Sequence, residues 1–142
     1  MKTVIAIVLA CFVAVVVSEE TACQRARERQ LQNRNSVIVN RCDENGNYEA
    51  LQVYSDGSWK ICFTPDGDVI QGPSRTIEYC ECFKTRYELS KQNLPSEKLP
   101  DCKATGEFVA LQSDGVSHWC VDKVTGEKTT EPRPLSRSIT CD

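Results

Sequence analysis

The sequence is poor in the residue types on which most active sites depend. It contains one His, two Trp, four Tyr and four Phe in 142 residues. His118 has no candidate nucleophile in a motif near it, and there is no second histidine with which it could share a metal ion. We therefore expect no catalysis, no cofactor and no metal site. His118 is expected to be a half-exposed strand residue beside Trp119 rather than a general base.

Long apolar runs are also scarce. The one such run covers residues 4–17, follows Lys2 and ends at Ser18. It is shorter than the ~20 residues of a membrane-spanning helix, and charged Glu19 and Glu20 follow it. We interpret residues 1–18 as a cleaved secretory signal rather than an anchor, and we expect a secreted, extracellular protein.

An excess of positive charge is absent as well. Without Lys2 the remaining chain carries 16 Lys and Arg against 20 Asp and Glu, a net charge of −4. This balance argues against nucleic acid or an anionic membrane as the main partner. The acidic residues match no calcium-binding loop, and Asp next to Gly is ordinary turn chemistry.

Cysteine, by contrast, is abundant. Removal of the signal would take away Cys11 and leave an even set of eight, which in a secreted chain predicts a disulfide framework. A Cys-X-Cys tripeptide at 80–82 could instead hold a metal or act in redox chemistry, but we favour disulfide bonding because each cysteine has a place in a repeat. The eight are Cys23, Cys42, Cys62, Cys80, Cys82, Cys102, Cys120 and Cys141.

The cysteine spacing reveals this repeat. Successive intervals are 19, 20 and 18 residues in the first copy and 20, 18 and 21 in the second. Only Glu81 separates the copies, so we predict two tandem modules, residues 19–80 and 81–142, without a flexible linker. Short, scattered apolar groups fit two small cross-linked modules better than one large core.

Each module is predicted to be α+β. Gly- and Pro-free segments at 22–34 and 81–93 predict short helices, the first capped by Thr21 and the second ending before Leu94-Pro95. Arg25, Arg27 and Arg29 could form a docking patch, but such a run is more typical of a solvated helix face. Asp-Gly turns predict β-hairpins, and the rest of each module is expected to be an extended polar loop. The hairpin segments are 48–54 with 59–63, and 107–112 with 118–121.

These motifs carry a resemblance to a known family. CDENGNYEALQ (42–52) with ICFTPDG (61–67), and GEFVALQ (106–112) with HWCVDKVTG (118–126), resemble the thyroglobulin type-1 module. The resemblance covers both repeats. It implies a small disulfide-rich α+β fold of two tandem modules, each a short helix followed by a small antiparallel β-hairpin sheet and long loops.

The sequence departs from the family pattern in a consistent way. Two cysteines that the family pairs with each other are replaced by Val53 and Lys60 in the first copy, and by Ser113 and His118 in the second. One bridge per module is thus lost without leaving a free thiol. Ile61 also replaces a usual Trp, and Asn40 a usual Pro, which the second copy keeps as Pro100. The remaining pairing that the family implies is Cys23–Cys42, Cys62–Cys80, Cys82–Cys102 and Cys120–Cys141.

The resemblance further implies inhibition of a papain-like cysteine protease by a wedge of three loops that enters the active-site cleft. The loops are residues 35–40, 54–58 and 72–76 in the first module and residues 94–100, 113–116 and 132–136 in the second. The lost bridge would have braced the second loop of each module, so that loop is expected to be looser. Residues 37–39 either form an apolar contact edge or pack under their own module. Alternative functions are a non-inhibitory extracellular binding module, or a venom or salivary component with another target. The expected contact residues are Val37, Ile38, Val39, Asn40, Tyr54, Ser55, Asp56, Gly57, Pro73, Ser74 and Arg75 in the first module, and Leu99 and Pro100 in the second.

Overall fold

The computed structural model describes residues 19–142 as two consecutive modules with the same order of α-helix and strands. Each has one helix followed by a three-stranded antiparallel sheet whose strands are ordered as in the sequence. This confirms the predicted small disulfide-rich α+β fold, whereas the predicted signal at residues 1–18 lies outside the described residues. The elements are α1 (Ala22–Gln32), β1 (Leu51–Val53), β2 (Lys60–Phe63) and β3 (Val69–Ser74), then α2 (Glu81–Ser90), a 3₁₀ turn (Ser96–Lys98), β4 (Leu111–Ser113), β5 (Ser117–Cys120) and β6 (Arg133–Pro134).

Helix α1 begins with a complete capping box. The Thr21 hydroxyl accepts a hydrogen bond from the Gln24 N–H at 3.3 Å, and the Gln24 side chain accepts one from the Thr21 N–H at 2.8 Å. Two of the N–H groups that a helix start leaves unpaired are satisfied in this way, which confirms Thr21 as the cap. Within residues 19–142, no helix is both long enough and apolar enough to cross a membrane.

The third strand of each sheet was not predicted. β3 pairs with β2, with Cys62 opposite Gln71, and β6 pairs with β5 where an extended loop was expected. Pro73 and Ser74, expected in a contact loop, therefore lie in the last residues of β3. Both strands contain proline, which argues against a central strand but is tolerated at a sheet edge, where the missing N–H breaks no ladder.

The repeated glutamines are internal supports. Gln52 is fully buried; its side chain accepts from the Arg41 N–H at 2.8 Å and donates to the Arg41 and Glu49 carbonyls at 2.8 and 2.7 Å. Gln112 makes the same three bonds, to both backbone groups of Asp101 and to the Val109 carbonyl. Each glutamine thus joins the first strand of its sheet to the segment that carries the second cysteine of the module.

Four disulfides cross-link the modules and form much of their cores. They join Cys23 to Cys42, Cys62 to Cys80, Cys82 to Cys102 and Cys120 to Cys141, the pairing that the resemblance implies. One buried cluster contains Cys62, Cys80 and Ile77, and another contains Cys82, Phe108 and Val121.

The two modules are in direct contact. The Glu78 and Tyr79 N–H groups of the first module both donate to the Thr105 carbonyl of the second, at 2.8 and 3.0 Å. A Cβ on Gly106 would lie 1.8 Å from the Tyr79 carbonyl oxygen, so only glycine allows this approach. Phe83 of α2 packs against the core of the first module. We call this contact the module joint.

Candidate functional site

The first two predicted contact loops of the first module are joined to each other. The Ser55 N–H donates to the Val37 carbonyl at 2.8 Å, and its hydroxyl donates to the Ser36 carbonyl at 3.1 Å. Ile38 and Tyr54 form an isolated antiparallel bridge beside these bonds. The first loop is therefore held along the hairpin tip.

The third segment is joined to the second through the sheet and an aromatic contact. Lys60 lies opposite Ser74 in the β2–β3 pairing. The Arg75 guanidinium carbon lies 4.8 Å from the centre of the Trp59 ring, a cation–π contact. The structure thus brings all three predicted segments together, and we call residues 35–39, 54–59 and 74–76 the first-module edge. Trp59 was not among the expected contact residues, although its position after an Asp-Gly turn was the available clue.

Exposure separates the residues of the first loop. Val37 is 66% exposed, whereas Ile38 and Val39 are half-buried, so Ile38 and Val39 pack partly against their own module and Val37 does not. Asn40 is only 5% exposed. The expected contact role does not fit this burial, because the Asn40 side chain lies within its own module.

Helix α1 anchors the base of the first loop. Arg27 donates to the Asn40 carbonyl at 2.7 Å, and Gln30 accepts from the Asn40 N–H at 2.7 Å. Arg27 therefore does more than cover a solvated face. In the second module, Arg86 donates to the Pro100 carbonyl at 2.7 Å, while Leu89 stands where Gln30 stood, as proline has no N–H to offer.

The tip of the first hairpin is stabilised by its aspartate. Asp56 accepts hydrogen bonds from the Ser58 N–H at 3.0 Å and from the Ser58 hydroxyl at 2.8 Å. These bonds hold the pKa of Asp56 below its ordinary value of 3.8, the backbone N–H having the largest effect and Arg75 adding a small one. Because charged Asp56 is the form that accepts these bonds, the turn is held most firmly above that pKa.

The lost family bridge maps onto facing positions in both hairpins. Val53 is the Cα partner of Lys60, and Ser113 is the partner of His118. In the second module, a ring nitrogen of His118 lies 2.6 Å from the Arg137 carbonyl oxygen, which joins β5 to the chain after β6. His118 is 9% exposed, so the expectation that it is half-exposed is wrong: β6 and this bond cover it.

The second and third segments of the second module are also joined, by a backbone hydrogen bond. The Leu135 N–H donates to the Val116 carbonyl at 3.2 Å. Val116 is 75% exposed and Leu135 50%, whereas the expected contacts Leu99 and Pro100 are half-buried. We call residues 94–100, 113–117 and 132–136 the second-module edge.

The residues considered for other chemistry make structural contacts. Cys80 and Cys82 belong to different disulfides. The Asp43 carboxylate accepts from the Asn45 and Asn47 N–H groups at 2.9 and 2.8 Å, as a turn aspartate does. Among residues 19–142, no three His, Cys, Asp or Glu side chains are grouped as metal ligands.

The fold thus defines a class of protein with two tandem, disulfide-bonded modules whose surface segments are joined to each other. The family model of the thyroglobulin type-1 repeat matches residues 18–82 and 81–141, and the chain belongs to the thyroglobulin type-1 family.

Proteins similar to this chain include two proteins named as toxins and thyroglobulin. U20-hexatoxin-Hi1a of Hadronyche infensa is 34% identical over 134 residues, which are 90% of this chain and 92% of that protein. U24-ctenitoxin-Pn1a of Phoneutria nigriventer is 27% identical over 74% of this chain and 83% of its own length. Thyroglobulin of Homo sapiens is 32% identical over 74% of this chain, which is only 4% of thyroglobulin.

Proposed function

We propose that this protein is secreted and inhibits a papain-like cysteine protease by occupying its active-site cleft with the first-module edge. The observation that carries the proposal is the joining of three segments into one edge with an exposed apolar residue. Val37 protrudes from the first segment, and its own carbonyl is held by Ser55. Membership of the thyroglobulin type-1 family supports the same function.

The physical basis is preorganisation. Asn40, at the base of the first segment, is bonded to α1, and the nearby Cys42 is bonded to Cys23. A segment that is ordered before binding loses less conformational entropy in the complex. An exposed valine is unfavourable in water and favourable in an apolar substrate subsite. The protein acts by binding and performs no catalysis of its own.

A second candidate is binding to an unrelated extracellular target. Two relatives whose names call them toxins favour it. The match to one of them, U20-hexatoxin-Hi1a, covers 92% of that protein. This candidate includes the case of a thyroglobulin type-1 protein that binds an extracellular partner without inhibiting a protease. Protease inhibition assays separate these candidates from the first.

The test is titration of the oxidised protein into papain and cathepsin L with a fluorogenic substrate. We expect inhibition, and V37D should raise the inhibition constant by about tenfold or more because a buried charge opposes binding in an apolar subsite. V124D is the matched control, since Val124 is 42% exposed but lies outside both edges. V116D tests the second-module edge in the same way.

Absence of inhibition of both enzymes at micromolar concentration would reject the proposal and leave the second candidate. Equal loss of inhibition in V37D and V124D would show that the first-module edge is not the contact surface. Loss in V116D alone would transfer the inhibitory role to the second module.

A further inference from the structure

The second module contains an apolar cleft that the proposed inhibition does not use. The cleft encloses about 190 Å³ between α2, the segment before Cys102 and the sheet. Leu89, Leu99, Phe108, Trp119 and Val121 supply apolar lining. Gln112 also reaches it, but its side-chain oxygen and nitrogen are already hydrogen-bonded to backbone groups, so it adds little polarity.

Comparison of the two repeats explains why the cleft exists. Val121 occupies the position that Phe63 has in the first module, and Ser113 the position of Val53. In the first module the Phe63 ring packs edge-on against Tyr48, with 5.8 Å between ring centres. The second module lacks this ring, and smaller side chains leave space between its helix and its sheet.

The ionisable side chains that line the cleft are both positively charged. Lys98 and Lys128 are its ionisable lining residues, and both are exposed. The Lys128 ammonium lies 4.3 Å from the centre of the Trp119 ring, at the wall of the cleft. The same two positions are the apolar residues Ile38 and Val69 in the first module. An apolar interior beside two cations fits a ligand with an apolar body and an anionic end.

We propose that this cleft is a binding site for small amphipathic carboxylates, such as a medium-chain fatty acid. The aliphatic chain lies against Leu89, Leu99 and Trp119, and the carboxylate interacts with Lys98 and Lys128. The volume limits the ligand to a short chain, and burial of its methylene groups provides most of the affinity.

The experiment follows the two indole N–H signals in a two-dimensional proton–nitrogen NMR spectrum of the whole protein. Trp119 lines the cleft and Trp59 belongs to the first module, so Trp59 is an internal control. Octanoate should shift the Trp119 signal in a saturable manner, with a dissociation constant of about 1 mM, and leave Trp59 unchanged. Octylamine has the same chain and the opposite charge, and it should bind more weakly.

Variants test the two halves of the site. The double variant K98Q/K128Q should weaken octanoate binding by about fivefold, as expected for exposed ion pairs. V121F and S113V restore the side chains of the first module and should each reduce binding by filling the cleft. S113V is the milder change and keeps the test valid if V121F does not fold.

Three outcomes would overturn the proposal. They are the absence of a saturable Trp119 shift up to about 10 mM octanoate, equal binding of octylamine, and unchanged binding in a folded V121F or S113V.

Discussion

At the scale of single residues, the clearest structural roles belong to side chains that make buried hydrogen bonds. Gln52 is 0% exposed and satisfies two backbone groups of Arg41 and one of Glu49. A buried backbone group that loses its partner costs more free energy than an average hydrogen bond contributes. The repeated glutamine is therefore a structural requirement of each module, separate from recognition.

The first prediction concerns this glutamine. Q52A should lower the free energy of unfolding by about 2–4 kcal/mol, because it removes three hydrogen bonds and leaves buried backbone groups unpaired. Urea denaturation of the oxidised protein measures the change. Q32A, at the exposed end of α1, is the control and should stay within about 0.5 kcal/mol of the parent. Similar losses in both variants would contradict the assigned role of Gln52.

The second prediction concerns pH. Hydrogen bonds from the Thr125 and Val124 N–H groups, the former stronger, hold the pKa of Asp122 below 3.8. A carboxyl with a lower pKa in the folded state stabilises that state above the unfolded pKa, and this contribution is lost as pH falls through the folded pKa. The stability difference between the parent and D122N should therefore be larger at about pH 6 than at about pH 2.5. Urea denaturation of both proteins at each pH measures this difference. A difference that stays constant between these two pH values would show that Asp122 makes no such contribution.

At the scale of elements, the sequence allowed prediction of both helices and both hairpins but not of the third strands. Thr21 and the Asp-Gly turns are local features, and local features define these elements. β3 and β6 depend on pairing with a distant partner, and Pro73 and Pro134 argued against strands. The bond between Arg27 and the Asn40 carbonyl escaped prediction for the same reason, since it joins residues 13 positions apart.

The sequence predicted where the candidate site lies better than it predicted which of its residues are exposed and which contact each other. The three segments of the first-module edge were expected from the family resemblance, and the structure brings them together. The burial of Asn40 and the stacking of Arg75 on Trp59 depend on side-chain packing between segments. No periodicity or turn pattern in a single segment reports such contacts.

The third prediction restores the lost family bridge. Val53 and Lys60 face each other as a pair without mutual backbone hydrogen bonds, where Cα atoms of antiparallel strands approach most closely. V53C/K60C should form a disulfide and raise the free energy of unfolding by about 2 kcal/mol. Thiol titration and urea denaturation measure both effects, with V53A/K60A as the control. Two free thiols in the oxidised variant would show that the register is incorrect.

At the scale of the whole molecule, the module joint makes the two repeats one unit. Phe83 belongs to the second module but packs against the core of the first, which consists of Cys62, Ile77 and Cys80. The corresponding residue of the first module is Gln24, an exposed polar residue that contributes to a capping box instead. The difference follows from position, because no module precedes Gln24 within the described residues.

The fourth prediction tests the joint. F83A should lower the free energy of unfolding by about 1–3 kcal/mol, as truncation of a partly buried aromatic does. It should also speed hydrogen exchange at the Glu78 and Tyr79 amides, which donate across the joint. Q24A is the positional control and should leave these two amides protected. Unchanged exchange in F83A would mean that the hydrogen bonds maintain the joint without Phe83.

The closeness of Cys80 and Cys82 has a consequence for the order of events during synthesis. When these two thiols emerge together, Cys62 has already emerged, while Cys102 follows Cys82 by 20 residues. At ordinary elongation rates that interval is about 1–4 s, during which both thiols compete for Cys62. Bonding of Cys62 to Cys82 would leave Cys80 without its partner. A chain with that bond reaches the pairing of Cys62 with Cys80 and of Cys82 with Cys102 only through thiol exchange.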